Sequence, residues 1–485
     1  MGRPCSLTEG NIFSSLIRFA VPVLFTLFLQ ALYGGVDLLV VGQFAQTADV
    51  SGVATGSMLL QTVTMVVTGL SMGITILVGE RIGRREPEDA GRAIGGGICL
   101  FACFAVLLTA VLVGGAEVLA RLMHAPEHAF HQTVLYIRIC GAGSLFIVAY
   151  NVLGSIFRGI GDSRTPLLTV AIACVINIFG DLLLVAGFHM GAAGAALATV
   201  LSQMASCAFV LLSLRRRRMP VRLRWGRMEL HIVRRVLAFG LSPFLIIATD
   251  SILLIVLNTV LQRYGGPELG DTLVTCATIV QSYLLLITMP MGGMTLGTQP
   301  VVSFNYGAAN LERIKRAIQS IVALCVTFCV LMTVVTHTLS PVFVGLFTQN
   351  PEVAARSVRY IKVFTAMIIP LAIQYPLVDE TTALGHVRLA LFCSIFRKCV
   401  FLAGLLLLAG AWLLLKLLPG LDTTPWRAVP FLCLGVGCGL FGGGTGELLA
   451  VQALLDIERD GIDKIRVPRP GVGRMRWGFG FDGQH

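Results

Sequence analysis

The stretch GRREPEDAGRAI (Gly83 to Ile94) returns 224 residues later as GAANLERIKRAI (Gly307 to Ile318). Tyr136-Ile137-Arg138 returns as Tyr360-Ile361-Lys362, and Gly161 as Gly385, both at that same offset of 224. Pro126-Glu127 is echoed by Pro351-Glu352, while Pro22 and Asp37 are matched 221 residues on by Pro243 and Asn258. A nearly constant offset over four loops and two apolar runs marks an internal duplication. The chain is therefore two copies of one unit.

Composition says what the unit is. A soluble chain of 485 residues would make two to four domains. Here 55% of residues are hydrophobic, mean hydropathy is +0.82 and only 13% are charged, about half the usual quarter of soluble domains. So few charges cannot cover a 52.0 kDa globule in water, which excludes a soluble enzyme and a disordered scaffold. Apolar runs of about 20 residues are long enough to cross the hydrocarbon core. About twelve such runs occur, at 16–40, 52–78, 93–117, 133–157, 164–187, 191–213, 236–261, 272–300, 317–347, 357–380, 389–415 and 428–452. They lack barrel alternation, so they are read as helices.

Six spans per copy is an even number, so both copies enter the membrane in the same direction. The expected fold is an all-α polytopic membrane protein with two six-helix lobes, related by a pseudo-two-fold axis along the membrane normal. The boundaries predicted are an N-terminal lobe at 1–214, a basic linker at 215–235, a C-terminal lobe at 236–452 and a basic tail at 453–485.

The net charge of +11 suggests nucleic acid at first sight, but the basic residues sit in short loops between apolar runs. Loops after even-numbered spans hold Arg81, Arg84, Arg85, Arg158, Arg313 and Arg316, and the sixth adds Arg215 to Arg218. That is the positive-inside pattern. It predicts a multi-pass protein of the cell membrane with both termini cytoplasmic and no nucleic-acid partner. Most of the thirteen cysteines, such as Cys99, Cys103, Cys174, Cys325 and Cys329, lie in apolar runs without a CxxC pair and read as small buried hydrophobes. His124, His128 and His131 are interrupted by Pro126 in an exterior loop, so no metal site is expected. No HExxH, GxSxG or P-loop pattern supports an enzyme, and no cofactor is implied.

Departures from the repeat are where chemistry is expected. A mid-span carboxylate costs about 2.5–3.5 kcal/mol on insertion scales and needs a reason. Span one holds Asp37; span five holds Asn177 and Asp181, four residues apart on one helix face. Their repeat partners are Asn258, Phe401 and Leu405, so the acidic cluster belongs to the first half. Together with the hydroxyl of Thr199, these residues predict an all-oxygen pocket for a proton or Na+ if spans one and five face each other. The alternative is a pair of acids hydrogen-bonded to neighbouring helices for structural reasons. In the second half, Asp250 follows Pro243 by seven residues and is placed to attract a cationic substrate. Asp379 and Glu380 fall near the end of span ten, where a solvated helix terminus and a transport role are equally open. Gln61 and Gln281, near the starts of spans two and eight, line the cleft or merely cap it.

These residues resemble the multidrug and toxin extrusion (MATE) family. The run NIFGDLLLVAGFHMGAAGAALAT (Asn177 to Thr199) is similar to that family's characteristic segment. Pro22 with Tyr33 and Asp37 resembles its first span, and FRGIGDSRTP (Phe157 to Pro166) and GLSPFLIIATD (Gly240 to Asp250) resemble two further segments. Tyr306-Gly307-Ala308 looks most like the bacterial branch related to staphylococcal exporters. The resemblance covers about residues 8–415. It implies a V-shaped pair of lobes and alternating access, with export of cationic lipophilic compounds in exchange for H+ or Na+. Carried over residue by residue, it implies a first-lobe cation site at Asp37, Asn177, Asp181 and Thr199. It further implies a second-lobe acid at Asp250; Gln281 and Tyr33 are the further candidates for the substrate or second-lobe cation. Pro22 and Pro243 become the helix hinges, and the protein is expected to be a monomer. The segment Leu418 to Ala450, with seven glycines among positions 435–446, departs from the family's last span. A lipid-linked oligosaccharide or peptidoglycan-precursor flippase shares the architecture, but would want a basic cleft where the mid-span charges here are acidic. A receptor or structural bundle is the reading of a different class.

Overall fold

The computed structural model describes residues 7–216, 230–365, 368–396 and 398–399. Among these the fold is helical, without a strand. Helix α1 (Ile12–Phe44) opens on Asn11, whose side chain accepts from the Ser14 amide at 3.4 Å. It continues through Pro22, where the Thr26 hydroxyl donates to the Pro22 carbonyl at 2.8 Å. Helix α2 (Thr47–Gly83) is followed by α3 (Pro87–Gly114), which starts on proline with Glu88 and Asp89 in its first turn. That start suits both the missing N–H and the helix dipole.

A short α4 (Ala116–Leu122) leads to the fourth span, read from the sequence as one helix over 133–157. It is instead two helices, α5 (Phe130–Ala142) and α6 (Ser144–Gly159), bent by 55°. The bend falls at Gly143, which lies so close to Val200 that a Cβ there would meet its methyl groups at 2.4 and 2.5 Å in the methyl positions. Helix α7 (Arg164–Asp181) runs into a π-helical turn (Leu182–Gly187), and α8 (Gly191–Arg216) completes the first lobe. Asp49, in the first turn of α2, accepts from the Ala192 amide at 3.0 Å and caps α8.

The second lobe begins with α9 (Leu230–Gly307), helical over 78 residues. Straight, it would span about 117 Å. Yet Val236 lies against Gly73 of α2 and Phe304 against Gly83, points only about 15 Å apart on that helix. So α9 doubles back, and its two arms are the seventh and eighth spans expected from the sequence. Next come α10 (Leu311–Gly345) and the tenth span, in two pieces, α11 (Pro351–Thr365) and α12 (Ile368–Ala383). A last described helix, α13 (Val387–Phe396), starts span eleven. The rest of span eleven, span twelve, the glycine-rich 435–446, the tail and most of the linker lie outside the described residues.

The duplication is visible in the backbone. Arg85 (φ 62°) and Ala309 (φ 55°) are left-handed turn residues 224 apart, as are Gly161 (φ 91°) and Gly385 (φ 89°). Thr75 donates to the Ser155 carbonyl at 2.8 Å, and their equivalents Gln299 and Asp379 repeat the link at 3.4 Å. The lobes meet at the end of the molecule that carries the basic loops. There a Cβ on Gly83 would strike the Phe304 carbonyl, and one on Gly307 would strike the Glu80 carbonyl. Positions 80 and 304, and 83 and 307, are repeat equivalents, so the contact is isologous about the pseudo-two-fold axis.

Helix α1 crosses between the lobes near this end: a Cβ on Gly297 would meet Ala20 Cα at 2.5 Å, and one on Gly293 Leu24 Cα at 3.0 Å. Small residues let backbones approach this closely in lipid. At the other end of α1, Gly34, Gly35 and Gly42 meet nothing within 4 Å. One feature differs from expectation on a smaller scale. Cys103 and Cys399 are exposed on the outside of the bundle, whereas seven other described cysteines are buried. Among the described residues, no three His, Cys, Asp or Glu side chains are placed to hold a metal ion.

Candidate functional site

The acidic residues of the first lobe converge. Asp37 (5% exposed) comes from α1, Asn177 and Asp181 (1% and 0%) from α7, and Thr199 (5%) from α8. Helices α7 and α8 pack tightly beside them, since a Cβ on Gly180 would meet Ala198 Cβ at 3.0 Å. The Asp37 and Asp181 carboxyl groups lie close to one another without a hydrogen bond between them. Asp181 is the last residue of regular α-helix before the π-turn, a local widening that often accompanies functional sites. All four are in the half of the lobe remote from the basic loops.

Three neighbours escaped sequence reasoning. Tyr136 (1% exposed) and Cys140 (1%), from α5, stand beside Asp37, and the Tyr136 hydroxyl reaches Thr199. The repeat had marked Tyr136 only as a register position, although an aromatic hydroxyl buried in a span is itself a signal of a polar partner. Gln203 (5%) lies on the face of α8 one turn from Thr199. Tyr33, half-buried one turn before Asp37, also faces the group.

Hydrogen bonding in this chamber is incomplete in a specific way. Of ten buried side-chain polar atoms without a hydrogen-bond partner among the described residues, six are here: Asp37 Oδ1, both Asp181 oxygens, both polar atoms of Asn177 and Gln203 Oε1. Five of the six are oxygens: two amide oxygens, which only accept, and three carboxyl oxygens, which only accept when ionised. Two carboxylates facing each other cannot satisfy one another; a proton or a small hard cation between them can. The desolvation cost of leaving them bare is several kcal/mol per group. The oxygen-only donor set fits such an ion.

Towards the basic loops the lobe holds a mostly apolar cavity of about 60 Å³ with several polar groups in its wall, room for one or two waters. Gln30, Thr68, Tyr150, Asn151 and Arg158 line it, and Gln299 of the second lobe closes it. Gln30 donates to the Tyr150 hydroxyl at 3.4 Å, Thr68 to Asn151 Oδ1 at 3.0 Å and Arg158 to the Ser155 hydroxyl at 2.9 Å. Gln30 lies two turns before Asp37 on α1.

The second lobe presents a different pattern. Glu380, which the sequence left open as a solvated helix terminus, is 0% exposed. It accepts from the Thr298 hydroxyl through Oε1, while Oε2 has no partner. Its repeat equivalent is Ile156 and that of Thr298 is Ile74, so this carboxylate is also a departure from the repeat. Gln281 is half-buried on the second arm of α9. Asp250 and Pro243 lie on the first arm, but their side chains are outside the described residues. The structure brings Tyr33, Asp37, Asn177, Asp181 and Thr199 together, and does not join Gln281 to them.

A duplicated helical bundle with two lobes sealed at one end, and a buried group of acids in one lobe, defines a polytopic membrane transporter. The model of the MatE family matches residues 22–183 and 247–406, one stretch in each half of the repeat. The chain belongs to that family. It is 25% identical over 419 residues to the probable multidrug resistance protein YpnP of Bacillus subtilis, covering 84% of this chain and 90% of that one. It is 20% identical over 407 residues to the multidrug export protein MepA of Staphylococcus aureus, covering 82% and 88%. Solved MATE structures share the fold. One in the bent conformation has a TM-score of 0.84 at 21% identity, covering 95% of this chain and 99% of that one. An outward-facing family member has a TM-score of 0.82 at 21% identity over 95% and 99%.

Proposed function

We propose that the chain is a secondary multidrug antiporter, exporting cationic lipophilic compounds in exchange for H+ or Na+ by alternating access. The observation that carries this is the set of unpaired acceptor oxygens on Asp37, Asn177, Asp181 and Gln203, buried together in one lobe. A proton shared by the two carboxyl groups, or a Na+ bound among the oxygens, relieves this unmet demand, and losing it restores the demand. The two states therefore differ in free energy by an amount able to shift a conformational equilibrium of a few kcal/mol. The export name of one relative, the multidrug export protein MepA, supports the direction of transport. Asp250 and Glu380 supply negative charge in the second lobe, Tyr33 an aromatic face beside Asp37, and Pro22 and Pro243 the hinges. The protein works as a monomer in the cell membrane, with both termini cytoplasmic, as the basic loops require.

Purified protein in liposomes loaded with ethidium tests the reading. Release that follows an imposed pH gradient or an imposed sodium gradient supports antiport and names the ion. The flippase reading has one observation in its favour, the positive charge of Arg158 lining the cavity. Movement of a lipid-linked pyrophosphate, with no ethidium release under either gradient, would replace the antiporter reading by that one.

A further inference from the structure

We infer that Glu80 is the latch that holds the two lobes together at their basic end, acting across the lobe boundary through Arg235. The inference rests on the alternating-access reading above and deepens it.

Glu80 belongs to α2 of the first lobe and is 3% exposed. Its Oε1 lies 2.6 Å from Arg84 Nη2, at the C-cap of that helix, and 3.8 Å from Arg235 Nη2, on the first arm of α9 in the other lobe. The Arg84 contact is a close ion pair without hydrogen-bond geometry, since Oε1 has no hydrogen-bond partner. A carboxylate in the last turn of a helix faces the negative end of the dipole, so local helix physics does not place an acid there. The two arginines do. The ion pair sits one turn from a very close backbone approach between the lobes, where Gly83 and Gly307 cross. Between them, Gly79 is so near Ser303 that a Cβ would come 2.6 Å from its hydroxyl. Such a contact leaves no layer of water between the lobes.

The repeat sharpens the point. Glu80 is equivalent to Phe304, and both sit on the pseudo-two-fold contact. Phe304 fills its place with an apolar ring that reaches Gly161 together with Leu7. Symmetry would be met by two apolar residues; the charge was put on one side only, opposite a cation of the other lobe. A second tie lies alongside. Arg313 donates to the Gly10 carbonyl at 2.8 Å and to the Glu9 carbonyl at 3.2 Å, and Asn305 donates to the Leu7 carbonyl at 3.1 Å. That tie fastens the start of α1 to the second lobe through backbone carbonyls, and the Glu80–Arg235 pair fastens the start of α9, its repeat counterpart, to the first lobe. When the lobes rock apart at this end, Arg235 leaves with its lobe and Glu80 keeps Arg84. The carboxylate is thus never left unpaired, which makes the latch reversible at modest cost.

The test uses the full chain in liposomes, with spectroscopic labels placed through non-natural amino acids at Glu88 and Glu312, repeat-equivalent exposed residues at this end. The distance between them reports closed and open populations whether or not transport is measured. Glu80→Gln and Arg235→Gln are expected to lower the closed-to-open ratio about 3- to 10-fold. Arg84→Gln removes the C-cap partner but not the cross-lobe one, and should leave the ratio within about 2-fold. The inference is overturned if Arg235→Gln keeps the wild-type ratio, or if Arg84→Gln shifts it as far as Arg235→Gln does. Arg235→Gln also covers the case in which Glu80→Gln fails to fold. A shifted ratio in a chain that exports nothing would sustain the latch and refute the antiporter; export with unshifted variants would do the reverse.

Discussion

The two lobes are built on one scaffold and carry their acids in different places. The shared parts are turns and crosslinks: Arg85 with Ala309, Gly161 with Gly385, and the Thr75–Ser155 bond with its counterpart Gln299–Asp379. The unshared parts are buried carboxylates. Asp37 and Asp181 occupy the half of the first lobe remote from the basic loops, where the repeat supplies Asn258 and Leu405. Glu380 occupies the second lobe where the first has Ile156. Duplication keeps what the helices need in order to pack; ionisable groups survive burial only where something else requires them.

The largest effect that would break this comparison is loss of coupling. Asp181→Asn preserves shape and removes a charge, so export driven by an ion gradient should fall at least about 100-fold while the chain still elutes as a folded species. Glu380→Gln should reduce export less, by roughly 3- to 10-fold, because its Thr298 partner can still be satisfied by the amide oxygen. An equal loss from both would mean that the lobes share the ion-handling task.

Smaller effects address the scaffold. Gly83→Ala places a Cβ against the Phe304 carbonyl and should cost about 1–3 kcal/mol in thermal unfolding in detergent. Gly34→Ala, with nothing within 4 Å, should be neutral or slightly stabilising. The smallest difference tests the equivalence itself. Thr75→Val and Gln299→Leu each remove one link of the repeated pair, and each should cost about 0.5–1 kcal/mol. Costs differing by more than that would show that the lobes are not mechanically alike.

Much of this was legible in the sequence because it depends on depth and period. Apolar length placed the spans, and the 224-residue offset placed their repeat partners. The four-residue spacing of Asn177 and Asp181 put both on one face before any contact was known. Burial of Glu380 was not legible, since its position near a span end says how deep it lies but not which neighbour covers it. The 55° bend at Gly143 was hidden for a similar reason. Both flanking segments are apolar, and the bend falls where Val200, from a helix about 57 residues later, comes close to Gly143. Tyr136, Cys140 and Gln203 were missed because their partners come from other helices, and the convergence of α1, α5, α7 and α8 is tertiary.

The central claim is that the first-lobe acids couple an ion to export. It is tested most directly by ethidium release from liposomes holding wild-type protein or Asp37→Asn, under imposed pH and sodium gradients in turn. The account predicts release by the wild type under one of the two gradients and background release by Asp37→Asn under both, with the variant folded. Gradient-driven release by Asp37→Asn at the wild-type rate would contradict it.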